Sequence, residues 1–279
     1  MAQTYYIENL YSKFIEIKGI DSKDFLQSLI TNDINKCENN KLIYSCFLSP
    51  QGKFLADFFI TRNKDCYLIE IHEKYLLNFL EKLSLYKLRS NISITENNEM
   101  LSFILFNKNI TDVKIKNNIY KDPRNSNLGD KIFCKKKSHN FKILKSILKL
   151  DFENYKIILM KFLIPNTSED LIVQKSLLLE NNFQNINAIS WNKGCYVGQE
   201  ITARMKYRSL IKKKIYVLEL LSGNINRGDA ISENNINIGN IISKVEKYVL
   251  CMLKINLIDD KFQKKKEITI NQSVILKFL

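Results

Sequence analysis

The feature that most constrains the fold of this chain is a change of hydrophobic period near residue 207. Before it, segments that alternate apolar and polar residues are interleaved with segments of period 3.6; after it, only the alternating kind remains. Residues 14–20 read as a strand broken at Gly19. Asp21 or Ser22 then caps a helix that carries Phe25, Leu26, Leu29 and Ile30 at helical spacing and stops at Thr31-Asn32-Asp33. Residues 43–48 and 54–60 read as strands around Ser49-Pro50-Gln51-Gly52, a hairpin turn. A short strand over 67–71 leads into an amphipathic helix over 73–88, with Leu76, Leu80, Leu83 and Tyr86 on one face. Residues 100–106 read as another strand, and 141–150 and 168–179 as helical. Residues 214–221, 236–243, 248–257 and 268–279 read as strands, with Ser222-Gly223 and Gly228-Asp229 as turns. The expectation is a mixed α+β region over 1–206 followed by a small all-β domain over 207–279.

Composition enters as a filter. The 279 residues are 45% hydrophobic and 11% aromatic, which supplies a core and excludes a disordered chain. No apolar run reaches the roughly 18–20 residues of a membrane helix; the longest candidate, over 248–258, is interrupted by Lys254. The first ten residues lack a basic region and carry Glu8, so they do not read as a signal or transit peptide. The expected location is therefore cytoplasmic, or the mitochondrial matrix in a eukaryote. Lys and Arg total 43 against 29 Asp and Glu, giving +14. Only six of those cations are Arg, the residue suited to bidentate phosphate contacts, and Asn and Ile are abundant beside Lys. An A/T-rich coding bias explains that balance as well as a nucleic-acid surface does. The six cysteines form no C-x-x-C pair and the two histidines no ligand pattern, so no metal site is expected.

One stretch stands apart. Residues 191–208 hold two of the eight glycines, the only Trp and a flanked cysteine, Cys195. Gly194 and Gly198 permit a tight backbone path. Gln199 and Glu200 open a short helix, with Arg204 and Lys206 towards its end. Cys195 would precede the positive end of that helix, two residues from Lys193, and both features favour a thiolate. A buried cysteine in a glycine-rich turn is the plainer alternative. Arg204, Lys206, Arg208, Lys212, Lys213 and Lys214 form a basic run without an acid, either a solvated face or a surface for RNA or a partner. Lys264-Lys265-Lys266 is a second basic cluster.

The run Lys193-Gly-Cys-Tyr-Val-Gly-Gln-Glu200, with Ala203-Arg204 and Tyr207-Arg208, resembles the signature of the YgfZ family of folate-binding proteins. Ile17-x-Gly19-x-Asp21, Phe25-Leu26-Gln27, Thr31-Asn32-Asp33, Leu48-x-Pro50-Gln51-Gly52-Lys53, Asp57-Phe58, Lys87-Leu88-Arg89, Asp122-Pro123-Arg124 and Leu128-Gly129 resemble the rest of the family pattern in order. The chain departs from it at Leu163, Leu178 and Gln184, where the family usually has Gly, Pro and Asp.

The resemblance implies a fold like the glycine cleavage T-protein: two α+β portions and a C-terminal small β-barrel around a central funnel that takes tetrahydrofolate or a one-carbon derivative. It implies a role in the maturation of iron–sulfur proteins, with client proteins or cluster-assembly factors as partners and no membrane. Cys195 would be the functional thiol, Lys193 would lower its pKa or meet an anion, and Tyr196 would stack on a ring or orient the thiol. Asn32, Asp33, Tyr155, Trp191, Gln199, Glu200 and Arg204 are the candidate folate contacts. Packing, turn and capping roles compete for each of them, and Tyr155 reads equally as a strand aromatic. No defined enzymatic turnover follows. The alternatives are a folate-dependent aminomethyl or one-carbon transferase, and an RNA-associated tRNA-modification factor acting through the basic run.

Overall fold

The computed structural model describes residues 4–37, 41–106, 115, 118–233, 235–264, 266–270 and 273–279; Lys265 of the second basic cluster lies outside them. By contacts the chain divides into two compact units. The first comprises 1–152, 173–175 and 184–199, the second 153–172, 176–183 and 200–279.

The first unit holds two five-stranded sheets. Strands β2 (Ser12–Lys18), β3 (Leu42–Leu48), β4 (Phe54–Asn63), β5 (Cys66–His72) and β6 (Ser93–Glu96) pair in the order β3-β4-β5-β2-β6. Strands β1 (Tyr5–Asn9), β7 (Met100–Phe106), β8 (Ile119–Lys121), β9 (Asp130–Lys135) and β10 (Leu148–Lys149) pair as β10-β1-β7-β9-β8. The hairpin β3–β4 is set by its turn: Gly52 holds φ 68° and its N–H donates to Ser49 O at 2.8 Å. Alternation then assigns each sheet face. Phe47 and Phe58 meet Phe79 of helix α2 (Glu73–Lys87), whose buried line is Tyr75, Phe79 and Leu83. That line is one residue off the predicted face for its first two members; Leu76 and Leu80 flank it half-buried.

The opposite face carries Tyr44, Cys46, Asp57, Phe59 and Glu70, which the strand register places side by side. Charge is buried there. Lys131 and Glu70, 2% and 3% exposed, form an ion pair at 2.7 Å, with the Lys131 ammonium 4.1 Å from the Phe59 ring centroid. Arg124 grips Asp122 with Nε and Nη2 at 3.0 and 2.8 Å and lies over Tyr44 and Phe59. Helix α1 (Ser22–Leu29) buries Phe25, Leu26 and Leu29, as its spacing requires. The Asp21 carboxylate does not cap it; Oδ2 accepts the Asn91 N–H at 2.6 Å instead. Residues 141–150 are less helical than predicted: helix α3 (His139–Lys145) ends and β10 follows, because residues 148–149 pair with β1.

The second unit is built on six strands, β11 (Lys213–Ser222), β12 (Ala230–Glu233), β13 (Ile236–Val245), β14 (Tyr248–Lys254), β15 (Glu267–Ile270) and β16 (Val274–Phe278). Their order is β12-β13-β14-β11-β16-β15, and the end strands β12 and β15 approach each other, so the sheet curls into a nearly closed barrel. Leu218, Ile231, Ile241, Val249, Leu253, Ile268 and Leu276 fill it. The strand predicted over 248–257 stops at Lys254, and helix α7 (Ile255–Gln263) follows, burying Ile258. The single strand predicted over 268–279 is the β15–β16 hairpin.

Two further corrections fall in this unit. Tyr155 is on helix α4 (Phe152–Lys161), not on a strand. The helix expected over 168–179 is only α5 (Thr167–Asp170), because the chain turns back on itself at Ile172–Ser176, where two hydrogen bonds close the turn. Leu163, the departure from glycine, holds φ 54°, so the backbone keeps a shape that glycine adopts more readily.

Asp170 is 8% exposed; its Oδ2 accepts the Asn166 N–H at 2.7 Å, and burial raises its pKa from 3.8 to about 6. Between those values the folded state keeps a proton that the unfolded state has lost. Stability therefore falls as pH rises through that window and is level above it. Asp170→Asn, which keeps the acceptor, should remove that fall and stabilise the protein at pH 7 by about 2–3 kcal/mol. Denaturant titrations of both proteins at pH 4 and pH 7 check this, and equal pH dependence would contradict it.

Candidate functional site

A helix C-terminus leaves up to four carbonyls without partners. In α1 no basic residue stands in the last turn to meet them. The segment after Asn185 does so instead. Val197 N–H donates to Ser28 O at 3.1 Å and Ser190 N–H to Thr31 O at 3.0 Å. The Lys193 ammonium donates to Gln27 O at 2.7 Å, Ile30 O at 2.6 Å and Asn32 O at 3.0 Å. Lys193 is thus neither a solvated lysine nor a group aimed at an outside anion: it is 9% exposed and its three donors are used. Burial lowers its pKa from 10.5 to about 8, against the pull of the Asp33 carboxylate.

Asn32, 5% exposed, completes the same join. Its Nδ2 donates to Tyr44 O and Asn187 O, both at 2.8 Å, and its Oδ1 accepts Asp33 N–H at 2.8 Å. Thr31 Oγ1 donates to Ala188 O at 2.7 Å. Desolvation raises the Asp33 pKa, but hydrogen bonds from Asn35 and Gln27 outweigh it and hold the carboxyl below its usual range. Gly198 closes the segment at φ 81°; a Cβ there would stand 2.5 Å from Ser49 O and 2.8 Å from Leu48 Cβ, in the hairpin turn. Gly194 has open space where a Cβ would point.

Cys195 is exposed on this anchored segment; Cys37, Cys46, Cys134 and Cys251 are buried and Cys66 half-buried. Tyr196 turns inward, 7% exposed, with the Lys193 ammonium 4.9 Å from its ring centroid. Its hydroxyl is buried and has no hydrogen-bond partner among the described residues, so it does not orient the thiol. Burial raises its pKa, with Cys46 nearby adding to the effect.

The structure therefore brings Asn32, Lys193 and Tyr196 together, Tyr196 being next to Cys195 in the chain, with Asp33, Trp191 and Gln199 in the same unit. Tyr155, Glu200 and Arg204 belong to the second unit, where Tyr155 is buried and the other two pair at 2.9 Å on helix α6 (Gln199–Tyr207). In the basic run, Arg204 and Lys213 have carboxylate partners in Glu200 and Glu180.

Sequence reasoning missed Asp57 and Tyr44 as site residues. The Tyr44 hydroxyl donates to Asp57 Oδ2 at 2.7 Å, and Asp57 is half-buried across the strand pair from Cys46. A carboxylate in the middle of an apolar strand was the available signal. A cavity of about 740 Å³ opens elsewhere in this unit, lined by Thr61, Cys66, Tyr120 and Cys134 among others, and Cys195 is not among its lining residues. Among the described residues no three His, Cys, Asp or Glu side chains group as metal ligands, and no helix is long and apolar enough to cross a membrane.

The profile of the GCVT N-terminal domain matches residues 10–102. The "Iron-sulfur cluster assembly factor IBA57 homolog, mitochondrial" of Neurospora crassa is 30% identical over 225 residues, covering 73% of this chain and 51% of that protein. The "tRNA-modifying protein YgfZ" of Aliivibrio fischeri is 25% identical over 234 residues, covering 79% of this chain and 73% of that protein. The chain spans about half the length of the first of these curated relatives. Among solved structures, the glycine cleavage system aminomethyltransferase T from Bartonella henselae superposes with a TM-score of 0.78 at 12% identity, covering 99% of this chain and 85% of that one. That likeness concerns the fold, and it agrees with the mixed α+β architecture ending in a barrel-like sheet. With its cysteine signature seated on α1, the chain is similar to proteins of the YgfZ/IBA57 family.

Proposed function

We propose that this protein is an accessory factor in the maturation of iron–sulfur proteins, that it acts through the Cys195 thiol, and that a reduced folate is its small-molecule partner. The observation that carries the reading is the contrast among the six thiols: the exposed one sits on a loop that Lys193 ties to three backbone carbonyls. An ordinary surface cysteine needs no such support. The relatives named as cluster assembly factors supply the process. Its partners are then iron–sulfur proteins or assembly factors, in the mitochondrial matrix if the cell is eukaryotic. An effect on tRNA modification is indirect, through modifying enzymes that need clusters.

The residues present fit a folate. The orphaned Tyr196 hydroxyl supplies a donor and the half-buried Asp57 carboxylate an acceptor, both beside Cys46. A carboxylate suits the amino-pyrimidinone edge of a pterin, which offers two N–H donors. When bound, a reduced folate would supply a one-carbon carrier. Asp57 would orient it and the buried Arg124–Asp122 pair would keep that face rigid.

Cys195→Ala is the test. In cells that lack this protein, the variant should accumulate folded, as the wild type does, yet leave [4Fe–4S] enzymes as inactive as no protein at all. Full enzyme activity with Cys195→Ala would refute the reading. Calorimetric titration of tetrahydrofolate into the reduced protein tests the ligand separately: saturable binding is expected, lost in Asp57→Asn.

A further inference from the structure

The Lys193 side chain reaches back to a helix that ends 164 residues earlier. We propose that Lys193 is a positioning residue: its ammonium serves as the missing C-cap of α1 and thereby fixes the place from which Cys195 is presented. This rests on Cys195 being the working thiol, and it gives Lys193 no contact with the reacting atoms.

The geometry supports a tether. The three acceptors come from Gln27, Ile30 and Asn32, which follow the helix round its last turn and out of it. One cation thus satisfies three carbonyls at the negative end of the helix dipole. Among the described residues no carboxylate forms an ion pair with Lys193, and backbone carbonyls take its three donors. Tyr196 closes the other side with its ring, 4.9 Å from the ammonium. One residue, Gly194, separates Lys193 from Cys195, and the Val197 N–H bond to Ser28 O pins the chain again just beyond it. Cys195 therefore sits in a short span fixed at both ends. Between those anchors, Gly194 leaves open space where a Cβ would point.

The test uses Lys193→Met, which keeps the stem and removes the cation, and Lys193→Arg, which keeps a cation. Hydrogen exchange of the full protein should show the Ser190 and Val197 amides exchanging about tenfold to a hundredfold faster in Lys193→Met, with β2 and β5 unchanged. Maturation of [4Fe–4S] enzymes in cells should drop towards the Cys195→Ala level at equal soluble protein. Lys193→Arg should restore both readouts, which a variant that merely disturbs packing would not allow. Wild-type exchange or wild-type maturation in Lys193→Met overturns the proposal. Should Lys193→Met fail to fold, Lys193→Gln, with two N–H donors, takes its place with the same expectations at smaller size. If Cys195→Ala leaves maturation intact, the thiol reading falls while the exchange result still reports the tether. If Cys195→Ala abolishes maturation and Lys193→Met does not, the tether alone is refuted.

Discussion

Lys131→Met is expected to destabilise the first unit by about 3–5 kcal/mol, because it strands a carboxylate in the interior. Glu70 is 3% exposed and faces Lys131 at 2.7 Å, with Ser12 Oγ donating to its Oε1 at 2.6 Å. Removing the ammonium leaves one hydroxyl and a distant amide against a full negative charge. The Phe59 ring also loses one of the two cations over it, keeping Arg124. Combining Lys131→Met with Glu70→Leu removes both charges, and an apolar pair of similar volume should recover most of the loss. Urea titrations of the two single variants and the double variant form the measurement. A double variant as unstable as the sum of the singles would show that the ion pair is not the source of the effect.

Gly198→Ala is expected to cost about 2–5 kcal/mol and to loosen the signature segment, whereas Gly194→Ala should be close to neutral. At Gly198 the φ of 81° costs an L-residue about 1–2 kcal/mol. The new methyl would also stand 2.5 Å from Ser49 O, a backbone atom fixed by the hairpin turn, which adds about 1–3 kcal/mol of overpacking. At Gly194 nothing lies within 4 Å and the φ is ordinary. The pair of variants separates loop packing from loop chemistry. If Gly194→Ala abolishes maturation while leaving stability intact, the open space beside Cys195 is used by a partner. If Gly198→Ala melts like the wild type, the segment does not lock onto the hairpin as described.

Much of the architecture was legible in the chain. The β3–β4 hairpin follows from Pro50 and Gly52, the limits of β7 from an apolar run between polar residues, and the buried side of α1 from Phe25, Leu26 and Leu29. Errors clustered where a local period met a non-local partner. Residues 148–149 complete a helical pattern but pair with β1, and residues 255–257 extend an apolar strand but begin α7. In α2 the leucines at 76 and 80 drew the predicted face to one side, while the aromatic residues Tyr75 and Phe79 took the core. Larger rings bury more area, so they set the rotation of the helix.

The site divides in the same way. From its sequence alone this protein has a mixed α+β region followed by a strand-rich one, a hairpin at Gly52 and one unusual cysteine segment, because period, turn chemistry and residue type are local properties. Only the tertiary structure decided which thiol meets solvent, that Lys193 is spent on three carbonyls in and just beyond the last turn of a distant helix, and that Asp57 joins Tyr44 beside Cys46. A carbonyl carries no side-chain signature, so no spacing in the chain could announce that α1 lacked a cap or that a lysine far along the sequence would supply it.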